Sequence, residues 1–173
     1  DFTGRTEPFK VVELRSRVTG YLSKVHFDDG TDVEEGKPLF EIDRRVYKAE
    51  YDRANAALQK AEKHYKTSAI LHERVKASYD KGIAGKDALD IAQGQLDESE
   101  ADISYAAAVL ELADTNLKFT RIAAPFSGRV SRRMVDPGNL VRADDTLLTT
   151  IVALDQVYAA FDIDERTVMR LRG

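Results

Sequence analysis

The chain has no cysteine and no tryptophan, and only three histidines and two methionines. Without cysteine there is no disulfide, thiolate metal site or sulfur nucleophile, although this assigns no redox compartment. No stretch approaches the roughly 18 continuous apolar residues of a membrane span. A basic excess is lacking too: the net charge is −4 and the pI near 5.5. No Lys/Arg run with interleaved aromatics appears, so nucleic acid is not an expected partner. His64 and His72 are too far apart on one predicted helix to chelate as a pair, and His26 lies elsewhere. Met134 and Met169 are too distant for a methionine metal site. With no Ser/His/Asp set and no phosphate loop, the sequence predicts no enzyme, no cofactor and no metal. The chain opens at Asp1-Phe2-Thr3 without a signal peptide or lipidation motif and reads as a piece of a longer protein. Its 173 residues, 43% hydrophobic, can supply one ordinary core or two small ones.

Helix breakers are unevenly placed. Pro8, Pro38, Pro125 and Pro137 all lie outside residues 44–119, and only Gly82, Gly85 and Gly94 of the ten glycines lie inside. Within that span two heptad seams run at alternating steps of four and three. The first is Tyr51, Ala54, Leu58, Ala61, Tyr65, Ser68, His72, Val75, Tyr79, and the second is Leu89, Ala92, Leu96, Ser99, Ile103, Ala106, Leu110, Ala113, Leu117. Asp43 is the expected N-cap of the first helix, and Lys81-Gly82 the expected C-terminal signal. A turn at about 82–85 then forces two helices of about 38 and 33 residues to run antiparallel, as a rod about 50–57 Å long. Residues 44–81 hold ten Lys/Arg against five Asp/Glu, net +5, while 86–118 hold two against eight, net −6. The arms are electrostatic complements, expected to pair within the hairpin and between copies.

The flanks repeat each other. A slide of 108 residues aligns Gly20 with Gly128, Leu22 with Val130, Asp28 with Asp136, Gly30 with Gly138, Val33 with Val141 and Leu39 with Leu147. Each copy reads as four short strands, with Tyr21–Phe27 and Val130–Val135 each preceding a glycine turn. Too small to bury a face alone, the copies are expected to pack on one another as a sandwich about a pseudo-twofold axis.

Three segments carry a family resemblance: Val18-Thr19-Gly20-Tyr21-Leu22, Asp29-Gly30-Thr31-Asp32-Val33 with Gly36-Lys37-Pro38-Leu39-Phe40, and Ile122-Ala123-Ala124-Pro125-Phe126-Ser127-Gly128-Arg129-Val130. They resemble the two lipoyl half-motifs of the membrane fusion proteins, or periplasmic adaptors, and are most similar to those of resistance-nodulation-division (RND) efflux pumps. The resemblance implies an α+β fold in which a β-sandwich lipoyl domain is split by a long antiparallel coiled-coil hairpin. It divides the chain into an entering strand from a β-barrel region (1–11), lipoyl half-motif 1 (12–43), the hairpin (44–119), half-motif 2 (120–152) and the start of a β-barrel domain (153–173). Phe2-Thr3-Gly4-Arg5 and Leu154–Phe161 with Asp164-Glu165 carry the barrel part of the likeness.

Functionally the resemblance implies a non-catalytic periplasmic adaptor attached to the inner membrane through residues outside this chain. It would link an inner-membrane transporter to an outer-membrane channel and self-associate as a hexameric ring. An adaptor of an ABC-type exporter or of a heavy-metal efflux system is the alternative within the family. A lipoyl or biotin carrier is the alternative of another class. Carriers present a modifiable lysine in a Glu-x-Asp-Lys context, and this chain reads Glu41-Ile42-Asp43-Arg44 there. A guanidinium is no acylation nucleophile. At the hairpin tip, RND adaptors carry an Arg-x-x-x-Leu-x-x-x-x-x-x-Ser pattern that meets the channel. Here Arg74 matches, Ser78 and Gly85 stand at the Leu and Ser positions, and Lys86 and Asp90 follow in family-like places. Gly85 still serves as an N-cap, and Ile83 at the turn is the replacement apolar anchor. The predicted partner-binding residues are therefore Arg74, Ser78, Ile83, Gly85 and Lys86.

Overall fold

The computed structural model describes residues 4–155 and 157–161. Phe2, Thr3, Gln156, Asp164, Glu165 and Met169, which the sequence reading used, lie outside the described residues. The flanking segments, up to Asp43 and from Phe119, form one compact unit and Arg44–Lys118 another. In the first half of the flanking unit lie β1 (Gly4–Pro8), β2 (Val11–Arg15), β3 (Gly20–Val25), β4 (Asp32–Val33) and β5 (Pro38–Ile42). The second half supplies β6 (Arg121–Ala123), β7 (Gly128–Val130), β8 (Leu140–Val141), β9 (Leu147–Val152) and β10 (Val157–Phe161).

Eight of these strands make two four-stranded sheets, in the orders β2-β9-β7-β4 and β6-β5-β3-β8. The copies do not each form a layer, as the repeat suggested. Instead, each sheet takes two strands from each copy. β4 and β8 have two residues apiece, too short to stand alone, and each crosses to complete the other copy's sheet. The 108-residue shift survives in the pairing itself: Gly20 faces Val141 and Tyr21 faces Leu140, just as Gly128 faces Val33 and Arg129 faces Asp32. Leu22 N–H donates to the Asn139 carbonyl and Val130 N–H to that of Thr31, the same bond twice.

The shift fails at one place. Leu39 was aligned with Leu147, but Leu39 is fully buried and Leu147 is not; Leu148 takes the equivalent site. Correspondingly, His26 N–H donates to the Leu39 carbonyl, while Met134 N–H donates to that of Leu148. The turn before β9 holds one extra residue, and Asp144 (φ 59°) adopts there the left-handed conformation that Gly36 (φ 81°) supplies in the first copy. β7 is also shorter than the expected Val130–Val135, ending at Val130.

Both copies feed one core. Leu22, Leu39, Phe40 and Ile42 from the first, and Val130, Val141, Leu148 and Ile151 from the second, are at most 1% exposed, each contributing about 1.5–3 kcal/mol by burial. Phe27 meets Phe40 edge-on at 5.2 Å. At the position matching Phe40 stands Thr149, buried, whose hydroxyl donates to the Arg132 carbonyl at 3.0 Å. The surface has diverged more. Arg129 and Asp32 form an exposed ion pair at 2.8 Å, and its hydrogen bond to the guanidinium holds the Asp32 carboxyl below the usual carboxylate range. Its pseudo-twofold counterpart is the apolar pair Tyr21 and Leu140. Apart from the sandwich, β1 pairs antiparallel with β10, Gly4 facing Phe161 and Pro8 facing Val157, a fragment of a second β structure.

The repeat's first glycines have no room for a side chain. A Cβ on Gly20 would meet Ile42 Cγ2 at 2.7 Å, whereas one on Gly128 would collide with the Val152 backbone carbonyl. A side-chain methyl can turn aside and a β9 carbonyl cannot. Gly128→Ala is therefore expected to lower stability by about 1–3 kcal/mol, and Gly20→Ala by distinctly less, in urea unfolding of the two variants. Equal losses would count against this reading.

Candidate partner-binding site on the helical hairpin

The second unit is two helices, α1 (Arg45–Asp80, 36 residues) and α2 (Lys86–Phe119, 34 residues), each about 50 Å long at 1.5 Å per residue. Burial follows the heptad seams. Ala54, Ser68 and His72 are buried on α1, and Ala92, Ser99, Ala106 and Ala113 on α2, with the intervening large seam residues half-buried. The helices run antiparallel. Ala57, Ala61 and His64 line one groove with Asp102, Ala106 and Val109. Near the open end, Lys118 has its pKa raised, first by its hydrogen bond to Asp114 and also by charge, to which Tyr51 of α1 contributes. The buried seam positions are Ala, Ser and His, so the seam buries little area per turn. Ser99 Oγ is satisfied within its own helix, donating to the Leu96 carbonyl at 2.8 Å.

Both ends of α1 refine the expectation. Arg44, not Asp43, occupies the N-cap and makes no side-chain capping bond. The Arg44 carbonyl accepts the Lys48 N–H at 2.8 Å, the first bond of the helix, which therefore starts one residue later than expected, while the Asp43 N–H donates to the Tyr21 carbonyl. At the other end Tyr79, expected in the seam, is 39% exposed, because α1 stops one residue later and the apex offers no further layer to cover it.

The apex is built by a Schellman turn. Gly82 (φ 71°) donates its N–H to the Tyr79 carbonyl at 2.8 Å, and Ile83 donates to the Ser78 carbonyl at 2.9 Å. Those two bonds satisfy carbonyls that the helix end would otherwise leave unpaired. α2 starts immediately afterwards at Lys86, which places Gly85 at its N-cap. Asp87 lies in that helix's first turn and Lys118 in its last, both favourable to the helix dipole.

The predicted site residues separate into two groups. Ile83 (78% exposed), Gly85 and Lys86 are together at the apex, open to solvent. Ser78 is half-buried and acts through its backbone carbonyl, which also accepts the Ala84 N–H. Arg74 lies on the exposed outward side of α1 below the apex, bordering a shallow apolar hollow with Ala69, Ile70 and Ala77. The heptad reading followed only the buried seam and missed an exposed ridge on α2 where Ile91, Tyr105 and Leu112 are 64%, 74% and 63% exposed. Their spacings of fourteen and seven residues, displaced two positions from the seam and interrupted by Glu98, were the available signal.

At the place where a carrier domain has its lysine, the sequence has Arg44. Glu41 is in β5, paired with Arg121 of β6, and Arg44 caps a helix. Among the described residues no cluster of three or more His, Asp or Glu could hold a metal ion, and no helix is long and apolar enough to cross a membrane.

Comparison with known proteins agrees with this architecture. Residues 10–153 match the family described as RND MFP, barrel-sandwich hybrid domain. The multidrug efflux pump subunit AcrA of Escherichia coli K12 is 30% identical over 173 residues, covering 99% of this chain and 44% of that protein. The efflux pump periplasmic linker BepD of Brucella suis is 33% identical over 178 residues, covering 100% of this chain and 45% of BepD. The chain therefore spans less than half the length of these relatives. Among solved structures, a MacA-MexA chimera containing the Pseudomonas aeruginosa MexA α-hairpin superposes with a TM-score of 0.72 at 25% identity, over 97% of this chain and 55% of the chimera. The membrane fusion protein Spr0693 of Streptococcus pneumoniae shares the fold, with a TM-score of 0.74 at 18% identity over 96% of this chain and 72% of that one.

The apex makes a direct prediction. Gly82→Ala puts a Cβ on a left-handed residue and is expected to lower the melting temperature, at a cost of about 1–2 kcal/mol. Gly85→Ser restores a hydroxyl cap and is expected to raise stability by a few tenths of about 1 kcal/mol. Calorimetry of both variants checks the assignment, and a neutral Gly82→Ala would contradict the turn.

Proposed function

This chain belongs to the RND membrane fusion protein family, and on that premise we propose that it is the hairpin-bearing part of a periplasmic adaptor in an RND-type efflux pump. One observation carries the reading. A two-helix hairpin is inserted in the chain between β5 and β6 of a duplicated sandwich, where a carrier domain would present a lysine, and Arg44 stands there instead. Such an insertion supplies a long surface for protein contacts and no reactive group. The role is therefore mechanical and non-catalytic, with transported molecules needing no binding residue in this chain.

The partners are an inner-membrane transporter and an outer-membrane channel, with several copies self-associating around the transport path. The protein is periplasmic and held at the inner membrane. Ile83, Gly85 and Lys86 are the residues that would meet the channel, since the apex presents an apolar side chain, a cation and a bare backbone together. Residues 1–11, with β1, would be the strand entering from the β-barrel region, and residues 153–173, with β10, the start of that domain. Names such as periplasmic linker and multidrug efflux pump subunit among the relatives support this reading.

Crosslinking the full-length protein in its native membranes tests it. The expected adducts are an RND-type transporter and an outer-membrane channel, the latter lost or reduced severalfold in Ile83→Asp. Recovery of a cytosolic enzyme subunit, or a lipoate or biotin increment in the intact mass, would overturn the proposal.

A further inference from the structure

We infer that the open side of the sandwich, a cleft between β2 and β6, is a binding site for a free single-chain amphiphile with an anionic head, of the medium-chain fatty carboxylate class. The cleft is lined entirely by residues of the flanking unit, and it goes beyond the adaptor role, which calls for no ligand there.

β2 and β6 open their respective copies and are related by the 108-residue shift, which puts Leu14 on Ile122 and Glu13 on Arg121. Each is the edge of its own sheet and pairs on one side only, β2 with β9 and β6 with β5. The two edges face each other about the pseudo-twofold axis with no strand between them. They leave a cleft of about 360 Å³, within the roughly 300–1,000 Å³ of small-ligand pockets. Its floor is apolar. Val12 and Leu14 from β2 meet Ile122 from β6, with Phe119 beside them; Leu14 is buried and the other three are half-buried. Edge strands are ordinarily paired or covered, and β6, with three residues, is too short to take an added peptide strand.

The rim is cationic although the chain carries a net charge of −4. Arg15, Arg17 and Arg121 line the cleft, against Glu13 and Asp144. Arg15 is already committed, holding Glu13 at 2.8 Å and donating to the Asp145 carbonyl at 2.7 Å. Arg17 and Arg121 are then left to Asp144, two cations to one carboxylate. The Arg17 guanidinium lies 5.0 Å from the centre of the Phe119 ring, a stacking that fixes its plane and leaves the N–H donors at its edge free. Arg121 is opposite Glu41 in the strand register, but the Glu41 carboxylate turns toward His26, 3.6 Å away. Among the described residues neither Arg17 nor Arg121 forms an ion pair. Two guanidiniums with open donors above an apolar slot fit a carboxylate carried on a hydrocarbon chain. A bare anion would leave the floor uncovered, and a two-chain lipid is too large for the cleft.

The test uses the full-length protein in phosphatidylcholine nanodiscs and decanoate bearing a terminal diazirine, with labelled peptides identified by mass spectrometry. Label is expected on the segments of β2 and β6. Excess decanoate should remove it; acetate, which lacks the chain, and decyltrimethylammonium, which reverses the head charge, should not at the same concentration. Arg17→Ala and Arg121→Ala are each expected to lower labelling about three- to tenfold, and together to lower it further. Both side chains are exposed, so the melting temperature should stay near that of the parent, and Lys24→Ala on β3 should leave labelling unchanged. Label that survives both arginine substitutions, or that decyltrimethylammonium removes as well as decanoate does, would overturn the anionic assignment. Loss of label when phosphatidylglycerol replaces phosphatidylcholine would overturn the single-chain one. With photoreactive p-benzoylphenylalanine in place of Ala123, crosslinks to another polypeptide that decanoate does not reduce would give the cleft to a protein and overturn the proposal.

Discussion

The exchange of β4 and β8 between the two halves of the sandwich is the contact on which the flanking unit depends. Each is a two-residue strand that leaves its own copy after a tight turn and completes the other copy's sheet, Val33 against Gly128 and Val141 against Gly20. Neither half can close its sheet alone, so segments separated by the whole hairpin must fold together. The same exchange explains why both glycines are squeezed. Gly20 and Gly128 sit where a crossing strand and the central strand of the sheet converge, and a methyl group there would meet Ile42 or the Val152 carbonyl. It also places Val33 and Val141 in the shared core, at 4% and 0% exposure.

Duplication leaves a useful internal contrast. Backbone register is retained nearly throughout, because slipping a strand by one residue would turn its core side chains to solvent. Side chains have drifted: outward-facing Arg129–Asp32 corresponds to Tyr21–Leu140, and in the core Phe40 corresponds to Thr149 with its hydroxyl bonded to backbone. The one extra residue before β9 is absorbed in a turn where Asp144 takes a left-handed conformation. Changes are accepted in turns and in side chains, and refused in the pairing.

The hairpin follows a different economy of contacts. Its seam is so rich in Ala and Ser that burial alone stabilises it weakly, and the resolved ion pairs Lys48–Asp52 and Lys118–Asp114 are exposed i,i+4 pairs along single helices, worth about 0.3–0.5 kcal/mol each. The outward faces of both helices stay exposed, in a basic arm over residues 44–81 and an acidic arm over 86–118. The Schellman turn at Gly82 satisfies the carbonyls of Ser78 and Tyr79 at the end of α1.

Much of this was legible in the sequence because it rests on period and spacing. Heptads at steps of four and three specify two helices and their shared face whatever surrounds them, and a 108-residue echo of glycines and core positions reveals a duplicated sandwich. Gly82 and Gly85 marked the apex because left-handed turns and helix starts favour that residue. Other features were decided only in three dimensions. The interleaving of the sheets depends on which edge each short strand reaches, and hydrogen bonding permits either choice. Arg44 replaced Asp43 as the cap because the first helical bond runs from Lys48 N–H to the Arg44 carbonyl while Asp43 still pairs with Tyr21 of the sandwich, a boundary invisible to local pattern. The exposure of Arg74 beside Ile70 and Ala77 followed from helix phase. Sequence by itself determined the periodic elements and their repeat, since these are local or self-referential; tertiary structure decided strand partners, caps and exposed faces, since these depend on what each group meets across the fold.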